Sequence, residues 1–92
     1  MIQSFRCRHT QELFEGGNPR QFSAFTNVAI RKLTQLDAAQ TLDFLRSPPG
    51  NRLEALKGDF KGFHSIRINA QWRIVFRWQS SDAYDVQIID YH

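Results

Sequence analysis

Residues 63–92 read FHSIRINAQWRIVFRWQSSDAYDVQIIDYH, and the fold is decided here. Within Trp72–Trp78 the side chains alternate: Trp72, Ile74, Phe76 and Trp78 have one parity, and Arg73, Val75 and Arg77 have the other. His64, Ile66 and Ile68 repeat the pattern upstream, opposite Ser65, Arg67 and Asn69. Downstream, Val86 and Ile88 oppose Ile89 and Tyr91. The connections at Asn69–Gln71 and Gln79–Asp82 are short enough for hairpins, so the spacing predicts three adjacent antiparallel strands. Burying the aromatic parity leaves Arg67, Arg73 and Tyr91 on a second face, expected to be free.

Upstream of the sheet, Ile2–Arg6 has strand character with no clean apolar parity, which suits an edge. Thr10 is a candidate N-cap for a short helix, with Gln11 and Glu12 in its first turn. Gly16-Gly17-Asn18-Pro19 ends that helix; no strand feeds it and no GK[ST] follows, so it is a stop rather than a phosphate loop. Phe25, Val28, Ala29, Leu33 and Leu36 recur at helical spacing and predict a helix over 23–36, with Arg31, Lys32 and Gln35 on its solvated side. Asp37 reads as the cap of a further helix over 38–45 that turns Leu42 and Leu45 inward, or as a kink in one long helix. Pro48-Pro49-Gly50-Asn51 then imposes a loop. Leu53 and Leu56 are expected to be buried, and Lys57-Gly58-Asp59 to turn into the first hairpin. The whole chain, 1–92, is thus expected to be one α+β domain. Its sheet is small, twisted and mainly antiparallel, with two or three N-terminal helices packed on one face.

Composition sets wider limits. Ninety-two residues with 41% hydrophobic and 23% charged side chains are enough for one modest core. A formal charge of +3 permits a polyanionic partner without requiring one. A single cysteine excludes an internal disulfide and a cysteine-based zinc cluster. With an N-terminus that lacks a signal-peptide pattern, it points to a reducing, cytoplasmic setting. No apolar run reaches membrane-spanning length, so no membrane partner is expected. His9, His64 and His92 form no ligand motif, so neither metal nor other cofactor is expected.

The chemistry these residues suit is RNA cleavage by attack of a 2′-hydroxyl on the adjacent phosphate. That reaction needs a proton acceptor, a cationic clamp on the phosphorane and a proton donor for the leaving oxygen. Arg67, Arg73, Lys57 and Arg77 suit the clamp, because guanidinium forks match phosphate oxygens. His92 suits acid or base work. Tyr91 serves either as a base beside cations or as a stacking platform, and Asp90 can orient either neighbour. An ordinary solvated strand face accounts equally well for Arg73 and Arg77. Trp72 and Trp78 read as core, and His64, which shares the apolar parity, as a packed histidine.

MIQSF at the start, LRSPPGNRLEALKGD, HSIRINAQWRIVF and the final DYH occur in this order and together span essentially the whole chain. The combination resembles the HigB branch of the RelE superfamily of bacterial toxins. The resemblance implies a RelE-like fold and a metal-independent endoribonuclease that cuts translated messenger RNA on the ribosome, in the A site of its small subunit. It also implies a helix-turn-helix antitoxin of the HigA type, with operator DNA bound only through the toxin–antitoxin complex. Carried over by motif, the implied catalytic residues are Lys57, Arg67, Arg73, Asp90, Tyr91 and His92, with Arg77 and Glu54 as further RNA contacts. Some HigB toxins have a histidine where this chain has Glu54, so Glu54 either inherits a proton-transfer role or stands idle. A non-catalytic basic module of the same fold, binding RNA or protein, is the alternative.

Overall fold

The computed structural model describes residues 1–91. Its two α-helices are α1 (Arg8–Phe14) and α2 (Thr26–Ala38), packed on one face of a four-stranded antiparallel sheet in the order β1-β2-β3-β4. The strands are β1 (Glu54–Ala55), β2 (Phe63–Arg67), β3 (Trp72–Gln79) and β4 (Asp82–Asp90). His64 pairs with Phe76, Ile66 with Ile74, and Ile74 with Ile88, so each apolar row crosses the sheet in register. These rows meet Leu13 of α1 and Ala29, Leu33 and Leu36 of α2 in one core. Each fully buried leucine there contributes about 1.5–3 kcal/mol by leaving water. Trp72 packs against the rings of Phe22 and Phe25, with centroids 5.9 and 5.2 Å away, and so belongs to the core as expected. His64 stacks on Phe76, and burial holds its pKa below the ordinary histidine value.

Several local expectations give way to tertiary contacts. Ile2–Arg6 forms no continuous strand. Ile2 and Phe5 instead make isolated parallel bridges to Ala83 and Val86, covering the outer edge of β4. Thr10 is not a cap: it is fully buried inside α1, and its hydroxyl accepts the Ile88 N–H at 3.0 Å. The same logic removes Asp37 as a cap. It sits within α2, and its carboxylate accepts the Ile2 N–H at 2.8 Å. No helix covers 38–45; a 3-10 turn, Asp43–Arg46, is all that forms there. Ala39 and Leu45 are both buried, so the segment follows the core rather than a helical period. The helix expected from residue 23 begins as a 3-10 turn, Arg20–Phe25, before α2.

Two irregularities shape the edges of the sheet. β4 carries one extra residue between the pairs Val75–Gln87 and Arg77–Tyr84, with Asp85 at φ 53°. At the opposite side, the 3-10 turn Pro49–Asn51 packs beside β2 and ends at Arg52, which is left-handed at φ 46°. Asn51 is fully buried in this turn. Its amide donates to the carbonyl of Leu45 and the side chain of Gln35 at 3.0 and 3.1 Å.

Candidate functional site

The face opposite the helices is not simply free. Val75 and Ser65 are fully buried on it, and Arg73 is only 7% exposed. The reason is local: β1 adds an edge beside β2 and brings Glu54 opposite Ser65, within reach of Arg73. Arg73 Nη1 ion-pairs with Glu54 Oε1, and Nη2 donates to the Arg52 carbonyl at 2.8 Å. The guanidinium is therefore held at a fixed place by two acceptors. Its Nε is buried and makes no hydrogen bond.

Around that anchor lies an open cleft of about 280 Å³ lined by Arg52, Arg67, Asn69, Ala70, Arg73 and Tyr91. Arg67 and Arg73 are register partners on β2 and β3, so their side chains leave the sheet together. Arg67 Nε donates to the Asn69 carbonyl at 3.0 Å, which ties the guanidinium to the hairpin turn. Asn69 in turn accepts from the N–H groups of Gln71 and Trp72 at 2.9 and 2.8 Å and fixes the hairpin turn. Tyr91 follows β4; its N–H donates to the Gln71 carbonyl at 2.6 Å, and its ring lies 5.5 Å from the Arg73 guanidinium carbon. Three guanidinium groups and one phenol lining one cleft can hold a tetrahedral or trigonal-bipyramidal phosphorus centre.

Of the residues singled out from sequence, the structure brings Arg67, Arg73 and Tyr91 together, with Glu54 bound to Arg73. Lys57 is exposed at the start of the Gly58–Phe60 turn and does not line the cleft. Asp90 pairs with Trp72 and so has the helix-side parity; its carboxylate accepts from Gln71 Nε2 at 2.9 Å. Arg77 sits four residues along β3 from Arg73, about 13 Å away. There it is engaged by Asp85 at 3.2 Å, by Gln79 at 2.8 Å and by the face of Tyr84. His92 lies outside the described residues. Sequence reasoning missed Arg52. Only the buried Asn51 turn, which the PPGN motif merely hints at, swings that side chain into the cleft.

A family model described as the HigB-like toxin, a RelE-like toxin of the type II toxin–antitoxin system HigB, matches residues 3–92. Toxin HigB-1 of Vibrio cholerae is 41% identical over 80 residues, covering 85% of this chain and 84% of its own length. Endoribonuclease HigB of Proteus vulgaris is 36% identical over 93 residues and is matched end to end. Among solved structures, the YoeB–YefM toxin–antitoxin complex of Staphylococcus aureus superposes with TM-score 0.58 at 18% identity, covering 100% of this chain and 98% of that one. A YoeB/ParE toxin from Agrobacterium tumefaciens gives 0.51 at 19% identity, covering 99% of both chains. At those identities the two structures establish the fold.

Proposed function

The chain belongs to the HigB family of RelE-like toxins, and from that premise we propose a ribosome-dependent endoribonuclease that cuts translated mRNA in the A site. It is a toxin of a type II toxin–antitoxin system with RNase activity, and an antitoxin is its partner. The observation that carries the mechanism is the convergence of Arg52, Arg67, Arg73 and Tyr91 on one open cleft. In this reading Arg67 and Arg52 grip the scissile phosphate while Arg73, fixed by Glu54, faces the charge that grows on the phosphorane. The 2′-oxygen attacks phosphorus, its proton passes to a base, and the departing 5′-oxygen takes a proton from an acid. Tyr91 and His92 are assigned to these two transfers, with no metal required. Lys57, Asp90 and Arg77 lie outside the cleft and are assigned to contacts with the RNA beyond the scissile phosphate or to positioning. Among the described residues, no helix is long and apolar enough to cross a membrane; a cytoplasmic site of action follows from the proposed ribosomal target.

Few groups at this site can move protons, so much of the barrier must be lowered by substrate geometry that the ribosome imposes. The isolated protein is therefore expected to cut purified RNA slowly, whereas induction in cells should produce new RNA 5′ ends in phase with translated codons. Mapping those ends tests the reading. Efficient, codon-independent cutting of naked RNA by the purified chain would overturn ribosome dependence, and an absence of new ends would overturn the nuclease.

For the partner, we propose a helix-turn-helix antitoxin of the HigA type that covers surface other than, or in addition to, the basic face. The complex is expected to shift operator DNA in a mobility assay, and the toxin alone is not. Tight operator binding by the lone toxin would sink that assignment.

A further inference from the structure

A second groove, about 320 Å³, runs between α2 and residues 48–51, lined by Arg31, Lys32, Gln35, Pro48 and Asn51. It is built rather than incidental. Lys32 Nζ donates to Asn51 Oδ1 at 2.5 Å, and Gln35 Nε2 donates to the Ser47 carbonyl at 2.5 Å. One of the three ammonium donors of Lys32 is thus used to fix its position, which leaves two for a ligand. Arg31 is exposed beside it. Among the described residues, no carboxylate ion-pairs with Arg31, Lys32, Arg52 or Arg67.

This groove and the cleft of Arg67 and Arg73 meet at a corner. Asn51 lines one and Arg52 the other, and consecutive Cα atoms are only about 3.8 Å apart. Burial, and then repulsion from Arg31 and Arg67, hold Lys32 below the ordinary lysine pKa. Lys32 and Arg67 thus repel each other across the corner that separates the two basic sets. Uncompensated like charges packed in this way are relieved when an anion binds between them.

We propose that the α2 groove is a second phosphate subsite, in which Lys32 and Arg31 hold a backbone phosphate of the RNA strand whose scissile phosphate lies in the cleft of Arg67 and Arg73. The strand then bends round the corner at Asn51 and Arg52, and Asn51 acts as the rigid post that sets the spacing of the two sites. This rests on the nuclease reading and extends it from one phosphate to a strand path.

The test is the salt dependence of binding to an RNA oligonucleotide 2′-O-methylated throughout, which lacks the free attacking hydroxyl. Each lost phosphate contact flattens the plot of log affinity against log salt by about 0.7 for a single strand. Arg31→Gln should flatten it by about that amount, and Arg31→Gln with Lys32→Met by about twice that. Arg8→Gln, on an exposed α1 arginine outside both clefts, should change nothing. Because Lys32→Met also loses the Asn51 bond, Arg31→Gln alone is the variant that decides if the double variant folds poorly. An unchanged slope in Arg31→Gln, with a flatter one in Arg52→Gln, overturns the subsite and leaves the nuclease reading standing. No change in any of these variants overturns both. Equal flattening by Arg8→Gln means diffuse attraction and overturns the subsite. So does a loss of antitoxin affinity in Arg31→Gln with its RNA slope intact, which would assign the groove to a protein partner.

Discussion

Removing Tyr91 and His92 together is expected to abolish toxicity while folding and antitoxin binding survive. Tyr91 is 41% exposed and contributes little to the core. What it contributes is placement: its N–H is tied to Gln71, and its ring lies against the Arg73 guanidinium at the cleft mouth. Tyr91→Ala loses that cation–π contact, worth about 0.5–1 kcal/mol at an exposed site, so the melting temperature should barely move. Activity should fall by about 10²–10⁴, the usual share of a positioned acid or base. Tyr91→Phe separates the ring from the hydroxyl. One face of the ring is already taken by Arg73, which leaves the hydroxyl as the group with most to offer a substrate. Tyr91→Phe is therefore expected to fail almost as badly as Tyr91→Ala. Near-normal toxicity in Tyr91→Phe would instead make the ring a stacking platform. Full toxicity after loss of both residues would place the chemistry elsewhere in the molecule.

The contrast between Tyr91 and Arg52 shows what a one-dimensional pattern carries. Alternation over Trp72–Trp78 repeats at period 2 for long enough to set strand, face and hairpin partners, so the sheet and the pairing of Arg67 with Arg73 are legible. β1 has two residues and no period to read, yet it supplies Glu54 and turns an open face into a half-closed one. Thr10 and Asp37 mislead for a shared reason. Both are good capping residues by type, but each spends its side chain on a backbone N–H far away in sequence, at Ile88 and at Ile2. Cap preferences describe local competition for hydrogen bonds, and a donor distant in sequence overrides it in both cases. Arg52 is not legible, because nothing in the residue itself signals a left-handed position; the neighbouring Asn51 network imposes it.

Arg73→Ala is expected to cost both stability and activity, where parity alone predicts a stable, inactive variant. The change removes the donor to Glu54 and to the Arg52 carbonyl. Breaking a fully buried ion pair costs about 3–5 kcal/mol. The Glu54 side chain is 49% exposed, however, and water can reach it, so the cost should be nearer to about 1–2 kcal/mol. For a domain of this size that lowers the melting temperature by roughly 5–15 °C. Activity measured at a temperature where the variant is fully folded should still fall by about 10²–10³, the loss seen when one transition-state donor is removed. Glu54→Gln distinguishes the two effects. A neutral amide still offers Arg73 an oxygen, so position is largely kept while the ion pair is lost; stability should fall slightly and activity by no more than about tenfold, within about 1.4 kcal/mol. A collapse of Glu54→Gln as deep as that of Arg73→Ala, with the acidic limb of the pH–rate profile altered, would instead make Glu54 a proton-transfer base. Undiminished toxicity in folded Arg73→Ala would reduce Arg73 to a strut of the sheet and leave the phosphate to Arg52 and Arg67.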